Sequence, residues 1–201
     1  MIAIIDYDAG NIKSVEKAVQ RLGYEVVITR DRETILSAEK VILPGVGAFG
    51  DAMEKIRSYG LEDVIREVVN NKVPFLGICL GLQLLYESSE ESEGVSGLSI
   101  LKGRIHKIPE GEYKKIPHMG WNSLEINPKG RLFKDIPNNS YVYFVHSYYL
   151  KSDEPETVMA SSEYNVHIHA SVEKDNVFAC QFHPEKSSDV GLKMLKNFLE
   201  L

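Results

Sequence analysis

The chain has 201 residues, of which 43% are hydrophobic and 26% are charged, and its formal net charge is −6. This length is enough for one sizeable core and marginal for two, and the composition is ordinary for a soluble globular domain. Because the chain is acidic and has no basic block, nucleic acid is not expected to be its main partner.

The two cysteines, Cys79 and Cys180, are too few for a disulfide framework, and neither has a Cys or His at zinc-site spacing. The chain opens directly as a strand, so no signal peptide is expected. Its longest uncharged run, residues 73–86, is too short to span a bilayer. The reducing cytoplasm is therefore the expected location.

The first 90 residues alternate between strand-like and helix-like segments. Strands are predicted at residues 2–7, 25–29, 40–43 and 73–78. Helices are predicted at 12–22, 31–36 and 61–69, and a further helical segment follows the loop at 44–50 and ends at residue 56. Asn11 and Asp31 are the expected N-caps of the first two helices. This alternation predicts βαβ units around a parallel sheet, whose sites form beyond the carboxyl ends of the strands.

The second half of the chain has a different pattern. Residues 88–94 are polar and are predicted to be a solvated loop. Short alternating segments predict antiparallel strands at 100–108, 123–126, 141–145, 158–160 and 168–172, followed by a strand at 177–182 and a helix at 190–199. The predicted fold class is α/β, a mostly parallel central sheet flanked by helices with an antiparallel extension in the C-terminal half. Residues 1–201 are expected to form one domain.

Cys79 lies between a predicted strand and a predicted helix, with Gly77 and Gly81 two residues to either side. This is the G-x-nucleophile-x-G pattern of a sharp strand-to-helix turn that holds the central residue in a strained conformation. The start of a helix favours the thiolate form of a cysteine. The N–H of Leu80 would point at an oxyanion formed by attack. We therefore interpret Cys79 as a nucleophile rather than a structural core cysteine.

A cysteine hydrolase also needs a base and a group that orients it. His183 follows a predicted buried strand, and Pro184 favours an extended backbone there, so Glu185 projects to the same side as His183. The expected triad is Cys79, His183 and Glu185. Its order differs from that of α/β-hydrolases, in which the acid precedes the histidine.

Other candidate sites are less specific. His167 and His169 share a strand face, but no third metal ligand is visible, so a solvated face is the better interpretation. Residues 45–50 match G-x-G-x-x-G, yet Pro44 interrupts the strand-to-glycine junction and the expected acidic ribose ligand is missing. Neither a metal nor another cofactor is therefore predicted. Chemistry alone assigns no role to His118 or His146.

Several motifs in the same order resemble a known family. Residues 77–83 together with His183-Pro184-Glu185 resemble the class I, triad-type glutamine amidotransferases. Residues 8–12, 44–50, 117–122, 143–148 and 181–187 narrow the resemblance to the glutaminase subunits of imidazole glycerol phosphate synthases. The resemblance spans essentially the whole chain.

The resemblance implies hydrolysis of L-glutamine to L-glutamate and ammonia. The implied partner is a separate (β/α)₈-barrel cyclase subunit in a heterodimer, which uses the ammonia to make imidazole glycerol phosphate and an aminoimidazole carboxamide ribonucleotide in histidine biosynthesis. The family also implies low activity of the isolated subunit. It further implies that the antiparallel strands continue one sheet.

The resemblance also implies roles for individual residues. The oxyanion would be held by the amides of Val46 and Leu80. Glutamine would be bound by Gly47, Gln83, Glu91, His146, Ser147 and Tyr148. The residues implied to face the cyclase are Asn11, Trp121, Tyr143 and Lys186.

Three alternatives stay open at this stage. Glutaminases of anthranilate, guanylate or pyridoxal-phosphate synthesis share the triad, although residues 117–122 and 186–188 disfavour them. A nucleotide-binding protein could use residues 45–50. A catalytically silent interaction subunit could carry the triad without using it.

Overall fold

The computed structural model describes residues 1–111 and 115–201. The strands are β1 (Ile2–Ile5), β2 (Val26–Thr29), β3 (Lys40–Leu43), β4 (Phe75–Ile78), β5 (Ser88–Ser89), β6 (Gly103–Lys107), β7 (His118–Ser123), β8 (Glu125–Ile126), β9 (Tyr141–His146), β10 (Tyr148–Ser152), β11 (Val158–Glu163), β12 (His167–Lys174) and β13 (Val177–Cys180). The helices are α1 (Ile12–Arg21), α2 (Arg32–Leu36), α3 (Phe49–Ser58), α4 (Leu61–Asn70), α5 (Leu80–Leu84) and α6 (Ser188–Leu199).

An eight-stranded sheet with the order β2-β1-β3-β4-β13-β12-β11-β8 forms the centre of the fold. The first five strands in this order are parallel, and β12, β11 and β8 extend the sheet in antiparallel fashion. The predicted fold class is thus confirmed. Because β2 and β3 lie on opposite sides of β1, the loops after β1 and β3 diverge and leave the crevice in which α/β proteins form their sites.

Two smaller sheets lie beside the central one. Strands β10, β6 and β5 form one, and β7 pairs antiparallel with β9 to form the other. The expectation of one continuous sheet is therefore wrong for these strands. Strand β7 was not predicted, because its sequence, HMGWNS, has few apolar residues and they do not mark its buried side. His118 is buried, whereas Met119 is exposed.

The prediction that residues 88–94 form a solvated loop is also partly wrong. Ser89 is buried, and Glu90 accepts a hydrogen bond from the Lys107 amide and contacts the His106 ring. Ser88 and Ser89 pair with β6, which anchors the segment to the smaller sheet. Glu90 thus belongs to a connection that is held against β6.

Helices cover both faces of the parallel strands. On one face, Ala3 and Ile5 of β1 pack in a cluster with Met53 of α3 and Ile65 of α4. On the other face, a second cluster joins Ile2 and Ile4 of β1 to α1 and α6, with Val15 and Phe198 among its fully buried members. Successive β1 side chains thus alternate between two hydrophobic layers, as a strand buried on both faces requires.

The two expected N-caps have different outcomes. Asp31 caps α2 by accepting a hydrogen bond from the Thr34 amide. Asn11 does not cap α1: its backbone is left-handed, with φ 67°, and its side chain donates to Glu185 instead. Asparagine tolerates this backbone region better than most residues do.

Among the described residues, none of the helices combines the length and the apolarity needed to cross a bilayer.

The approach of α5 to β3 yields the first prediction. A Cβ atom at position 81 would lie 1.9 Å from the Leu43 carbonyl oxygen, so Gly81→Ala forces backbone to move. We expect it to lower the free energy of unfolding by more than about 3 kcal/mol in denaturant titrations. Gly94→Ala is the control, because Gly94 has φ +82° and open space around it, and should cost only about 1 kcal/mol. Equal losses in the two variants would contradict the steric argument.

Candidate active site

Cys79 occupies a strained turn between β4 and α5. Its backbone has φ 55° and ψ −110°, and the residue is buried, as the strand-to-helix turn predicted. A Cβ at position 77 would lie 2.7 Å from the Gly81 carbonyl oxygen, so both flanking glycines are required by close backbone contacts. The turn presents the sulfur at the carboxyl edge of the central sheet.

His183 and Glu185 follow the neighbouring parallel strand β13. The His183 and Glu185 side chains are almost fully buried, and His183 Nδ1 lies 2.7 Å from Glu185 Oε1. Burial alone would lower the pKa of His183, but the nearby Cys79 and the hydrogen bond and charge of Glu185 raise it to about 9. His183 Nε2 is buried and has no hydrogen-bond partner among the described residues. The structure therefore brings the three predicted residues together, with the imidazole between a carboxylate and a sulfur.

Strand β9 holds the segment that carries the histidine. The His183 amide donates to the Tyr143 carbonyl over 3.0 Å, and the Tyr143 amide donates to Ser187 Oγ over 2.9 Å. The Ser187 hydroxyl in turn donates to the His183 carbonyl. Tyr143, which was predicted only as a partner-facing residue, also braces the catalytic segment through its backbone.

Asn11 contacts the triad directly. Its Nδ2 donates to Glu185 Oε1 over 2.6 Å, the same oxygen that faces His183. The other carboxylate oxygen, Oε2, is buried and has no hydrogen-bond partner within the part of the chain that the structure describes. The loop after β1 thus fixes the acid of the triad, a contact that sequence reasoning missed.

A cavity of about 360 Å³ opens beside Cys79. All six residues expected to bind glutamine line it, together with Cys79 and both expected oxyanion residues. The set comprises Val46, Gly47, Cys79, Leu80, Gln83, Glu91, His146, Ser147 and Tyr148, with Pro117 and Val145 completing the wall. The predicted residues therefore converge on one cavity, although they come from distant parts of the chain.

Glu91 is tied to the start of α3. Its Oε2 accepts a hydrogen bond from the Phe49 amide over 2.8 Å, and the next residue, Ser92, accepts one from the Gly50 amide. Carboxylates are favourable at this end of a helix, where backbone N–H groups lack partners. The charge on Glu91 is therefore held at the rim of the cavity.

The expected oxyanion amides are not both directed at the cavity. The Leu80 N–H donates to the Gly45 carbonyl over 3.3 Å. In a trans peptide the C=O and N–H point in opposite directions, so the Val46 N–H is directed away from the Leu80 amide. In this conformation the Leu80 N–H is engaged by the Gly45 carbonyl oxygen.

Two buried histidines lie at the cavity wall, and His146 is one of its lining residues. His146 Nδ1 lies 2.8 Å from the Tyr148 carbonyl and must donate to it, so His146 Nε2 accepts from His118 Nδ1 at 2.9 Å. Burial lowers the pKa of His146 to about 4, the positive charge of His183 acts in the same direction, and the Tyr148 contact opposes them. The ring is thus neutral near pH 7 and fixes the 146–148 segment.

The outer face of the β7–β9 sheet is exposed and apolar. Met119, Trp121 and Tyr141 are 62%, 53% and 60% exposed. Trp121 pairs with Tyr143 across the two strands, with the rings edge to face. Lys186, the remaining residue expected at the partner interface, is exposed, whereas Asn11 is half-buried.

The remaining candidates lie outside this site. His167 contacts Glu163, and His169 accepts a hydrogen bond from the Ser152 amide. Across residues 1–111 and 115–201, no group of three metal-binding side chains is arranged to hold an ion. Cys180 is fully buried in the core, where burial raises its pKa.

A comparison with family models identifies the family of the chain. The family model described as glutamine amidotransferase class-I matches residues 3–201, and the chain belongs to that family. Within it, the chain is 51% identical to the imidazole glycerol phosphate synthase subunit HisH of Methanocaldococcus jannaschii, with 100% of both chains covered. It is 52% identical to the subunit of the same name from Moorella thermoacetica, over 100% of this chain and 94% of that one.

Solved structures support the fold. A crystal structure of a glutamine amidotransferase superposes with a TM-score of 0.77 at 20% identity, covering 100% of this chain and 98% of the other. PurLQS from Thermotoga maritima superposes with a TM-score of 0.76 at 21% identity, covering 99% and 97%. At this level of identity the likeness establishes the architecture alone.

The buried imidazole leads to a prediction on stability. Because the pKa of His183 in the folded chain, about 9, exceeds the ordinary value of 6.5, protonation favours the folded state. This contribution is complete below pH 6.5 and is lost as the pH rises through about 9. Urea titrations should show the free energy of unfolding falling over this interval by on the order of 2 kcal/mol.

His183→Asn should abolish most of that fall, whereas His167→Asn, at an exposed histidine, should leave it unchanged. An unaltered pH dependence in His183→Asn would contradict the assignment of the proton to this ring.

Proposed function

We propose that the chain is the glutaminase subunit of an imidazole glycerol phosphate synthase. It hydrolyses L-glutamine to L-glutamate and ammonia, and a separate cyclase subunit uses the ammonia in histidine biosynthesis. The observation that carries the proposal is that Cys79 lines a cavity of about 360 Å³ and lies close to the buried pair of His183 and Glu185. The 51% identity to a relative of that subunit name, over the full length of both chains, supports the assignment.

The proposed reaction has two halves. The Cys79 thiolate attacks the carbonyl carbon of the glutamine side chain, and His183 gives its proton to the departing nitrogen, so ammonia leaves and a thioester remains. His183 then takes a proton from water, which attacks the thioester and releases glutamate and the thiolate. Glu185 holds the ring in position throughout. No metal or other cofactor is needed in this sequence of steps.

Glutamine binding follows from the lining of the cavity. Glu91 pairs with the substrate ammonium, since its carboxylate is anchored at the rim by the Phe49 amide. Gly47, Gln83 and the segment His146-Ser147-Tyr148 contact the remainder of the substrate. The buried histidine pair keeps that segment in one conformation, because both ring nitrogens of His146 form hydrogen bonds, one with His118 and one with the Tyr148 carbonyl.

The oxyanion would be held by the amides of Val46 and Leu80 after a rotation of one peptide. Turning the Gly45–Val46 peptide releases the Leu80 N–H from the Gly45 carbonyl and directs the Val46 N–H towards the cavity. Gly47, with φ +102° and open space, gives the backbone freedom for this rotation. A subunit held in this resting conformation would have low activity alone.

The partner surface is the apolar face of β7 and β9. Trp121 and Tyr143 form its centre, and Lys186 and Asn11 belong to the same interface beside the triad. Aromatic residues of this kind supply much of the binding energy in protein interfaces. We propose that a (β/α)₈-barrel cyclase docks here as a heterodimer and stabilises the rotated peptide.

We further infer that residues 1–201 act as one glutamine amidotransferase domain and that the protein works in the cytoplasm. Both cysteines are free and buried, and a reducing compartment keeps the nucleophile as a thiol.

Removal of the nucleophile tests the reaction. In the complex with the cyclase, Cys79→Ala should abolish glutamine-dependent turnover and leave ammonia-dependent turnover within about twofold of wild type, because the cyclase chemistry is intact. Cys180→Ser is the matched control at the other buried thiol and should keep glutamine-dependent turnover. Glutamine-dependent turnover by folded Cys79→Ala would show that the triad is not the source of ammonia.

The contact between Asn11 and Glu185 gives a second prediction. Asn11→Ala should lower kcat for glutamine hydrolysis in the complex about tenfold with KM unchanged, because the base is less well oriented. Asn11→Asp should lower it further, since a second carboxylate would lie against Glu185. Lys13→Ala, at an exposed residue two positions further along the chain, is the control.

The affinity for the cyclase is measured alongside, because Asn11 also lies at the expected interface. Full recovery of kcat at saturating cyclase would mean that Asn11 acts only through docking, contrary to the prediction.

A further inference from the structure

A pair of buried carboxamides lies behind the nucleophile. Gln181, which is completely buried, follows β13, and its Nε2 lies 3.7 Å from Cys79 Sγ. Gln83 Nε2 lies 3.0 Å from Gln181 Oε1 and 3.1 Å from the Tyr148 carbonyl oxygen. The triad and the cavity lining do not account for Gln181, although it contacts the reacting sulfur.

The Tyr148 carbonyl fixes the direction of each hydrogen bond in the series that runs through Gln83 and Gln181 to Cys79. A carbonyl oxygen can only accept, so the atom of Gln83 that faces it must be the amide nitrogen. That nitrogen gives its second hydrogen to Gln181, which must therefore present its oxygen to Gln83. The amide nitrogen of Gln181 is then left facing Cys79, and the sulfur receives a donor.

The backbone also holds Gln181 in place. Its amide donates to the Ala170 carbonyl over 2.8 Å, which continues the pairing of β12 and β13 past the end of the strand. The side chain therefore has little freedom to leave the sulfur. A hydrogen bond in a dry site of low dielectric is stronger than the same bond in water.

We propose that Gln181 is a catalytic residue: its Nε2–H donates to Cys79 Sγ and stabilises the thiolate, in an orientation set through Gln83 by the Tyr148 carbonyl. The inference deepens the proposed glutaminase function and rests on it for its catalytic meaning. Hydrogen bonds to a charged acceptor are about twice as strong as those between neutral groups.

The neutral thiol has a different partner. Its proton can point to the Val145 carbonyl at 4.0 Å, a contact that offers nothing to the anion. Ionisation thus exchanges this contact for the Gln181 donor and the imidazolium of His183. Within residues 1–111 and 115–201, no side-chain donor contacts the neighbouring Cys180, and burial keeps its pKa well above the ordinary value.

The test measures the rate of Cys79 alkylation by iodoacetamide as a function of pH. It uses the full chain alone, and a Cys79→Ala chain corrects for Cys180. In Gln181→Met, which keeps the length of the side chain but removes the donor, the midpoint of the profile should rise by about one pH unit and the rate at pH 7 should fall about tenfold. Gln83→Met should give a smaller rise of the midpoint, because the side-chain amide of Gln181 is then free to rotate and present its oxygen to the sulfur.

Asn197→Leu is the matched control. Asn197 is also a buried carboxamide, but it donates to the Leu132 and Lys134 carbonyls, away from the cavity. Its profile should coincide with that of wild type. Gln181→Asn withdraws the donor by one carbon while keeping the amide, and it replaces Gln181→Met if circular dichroism shows that variant to be unfolded.

A wild-type profile in the folded Gln181 variant overturns the proposal, and so does an equal shift in Asn197→Leu. Alkylation requires neither glutamine nor the cyclase. Glutamate release by the wild-type complex is assayed separately, so loss of the thiolate effect and failure of the proposed glutaminase give different results.

Discussion

The backbone at Cys79 is the constraint on which the site depends. A residue with φ 55° and ψ −110° turns the chain from β4 into α5 within one position, so that the sulfur faces the crevice rather than the core. The turn is possible because Gly77 and Gly81 let backbone atoms approach to distances that a Cβ would forbid. The surrounding sheet overdetermines this conformation, which is how strained residues persist at functional sites.

Burial makes the second demand on the structure. The carboxyl, imidazole and thiol groups of a nearly dry site can carry charge only where they are paired and hydrogen-bonded. The loop after β1 supplies Asn11 to Glu185, strand β9 braces the segment that carries His183, and the end of β13 directs Gln181 at the sulfur. Each support comes from a different element, so the charged groups are stable only in the assembled fold.

The sequence predicted the parts of this site that are local. The glycine spacing around Cys79 and the His183-Pro184-Glu185 segment are short patterns with one geometric meaning, and the alternation of the first 90 residues predicted the parallel sheet. The contact of Asn11 with Glu185 joins residues that are 174 positions apart, and only the strand order brings them together. The pairing of β7 with β9 could not be predicted either, because β7 lacks the alternation that marks a half-buried strand.

The proposed rotation of the Gly45–Val46 peptide would link the site to its partner, and one measurement tests that link most directly. Glutamate release from glutamine is followed for the chain alone, with a cyclase subunit, and with the cyclase and its nucleotide ligand. The account predicts little release by the chain alone and a marked rise in the complexes, where the peptide is rotated and the Leu80 amide is freed from the Gly45 carbonyl. Full activity of the isolated chain would contradict the gating, and absence of glutamate in every mixture, with a folded chain and a verified complex, would contradict the glutaminase itself.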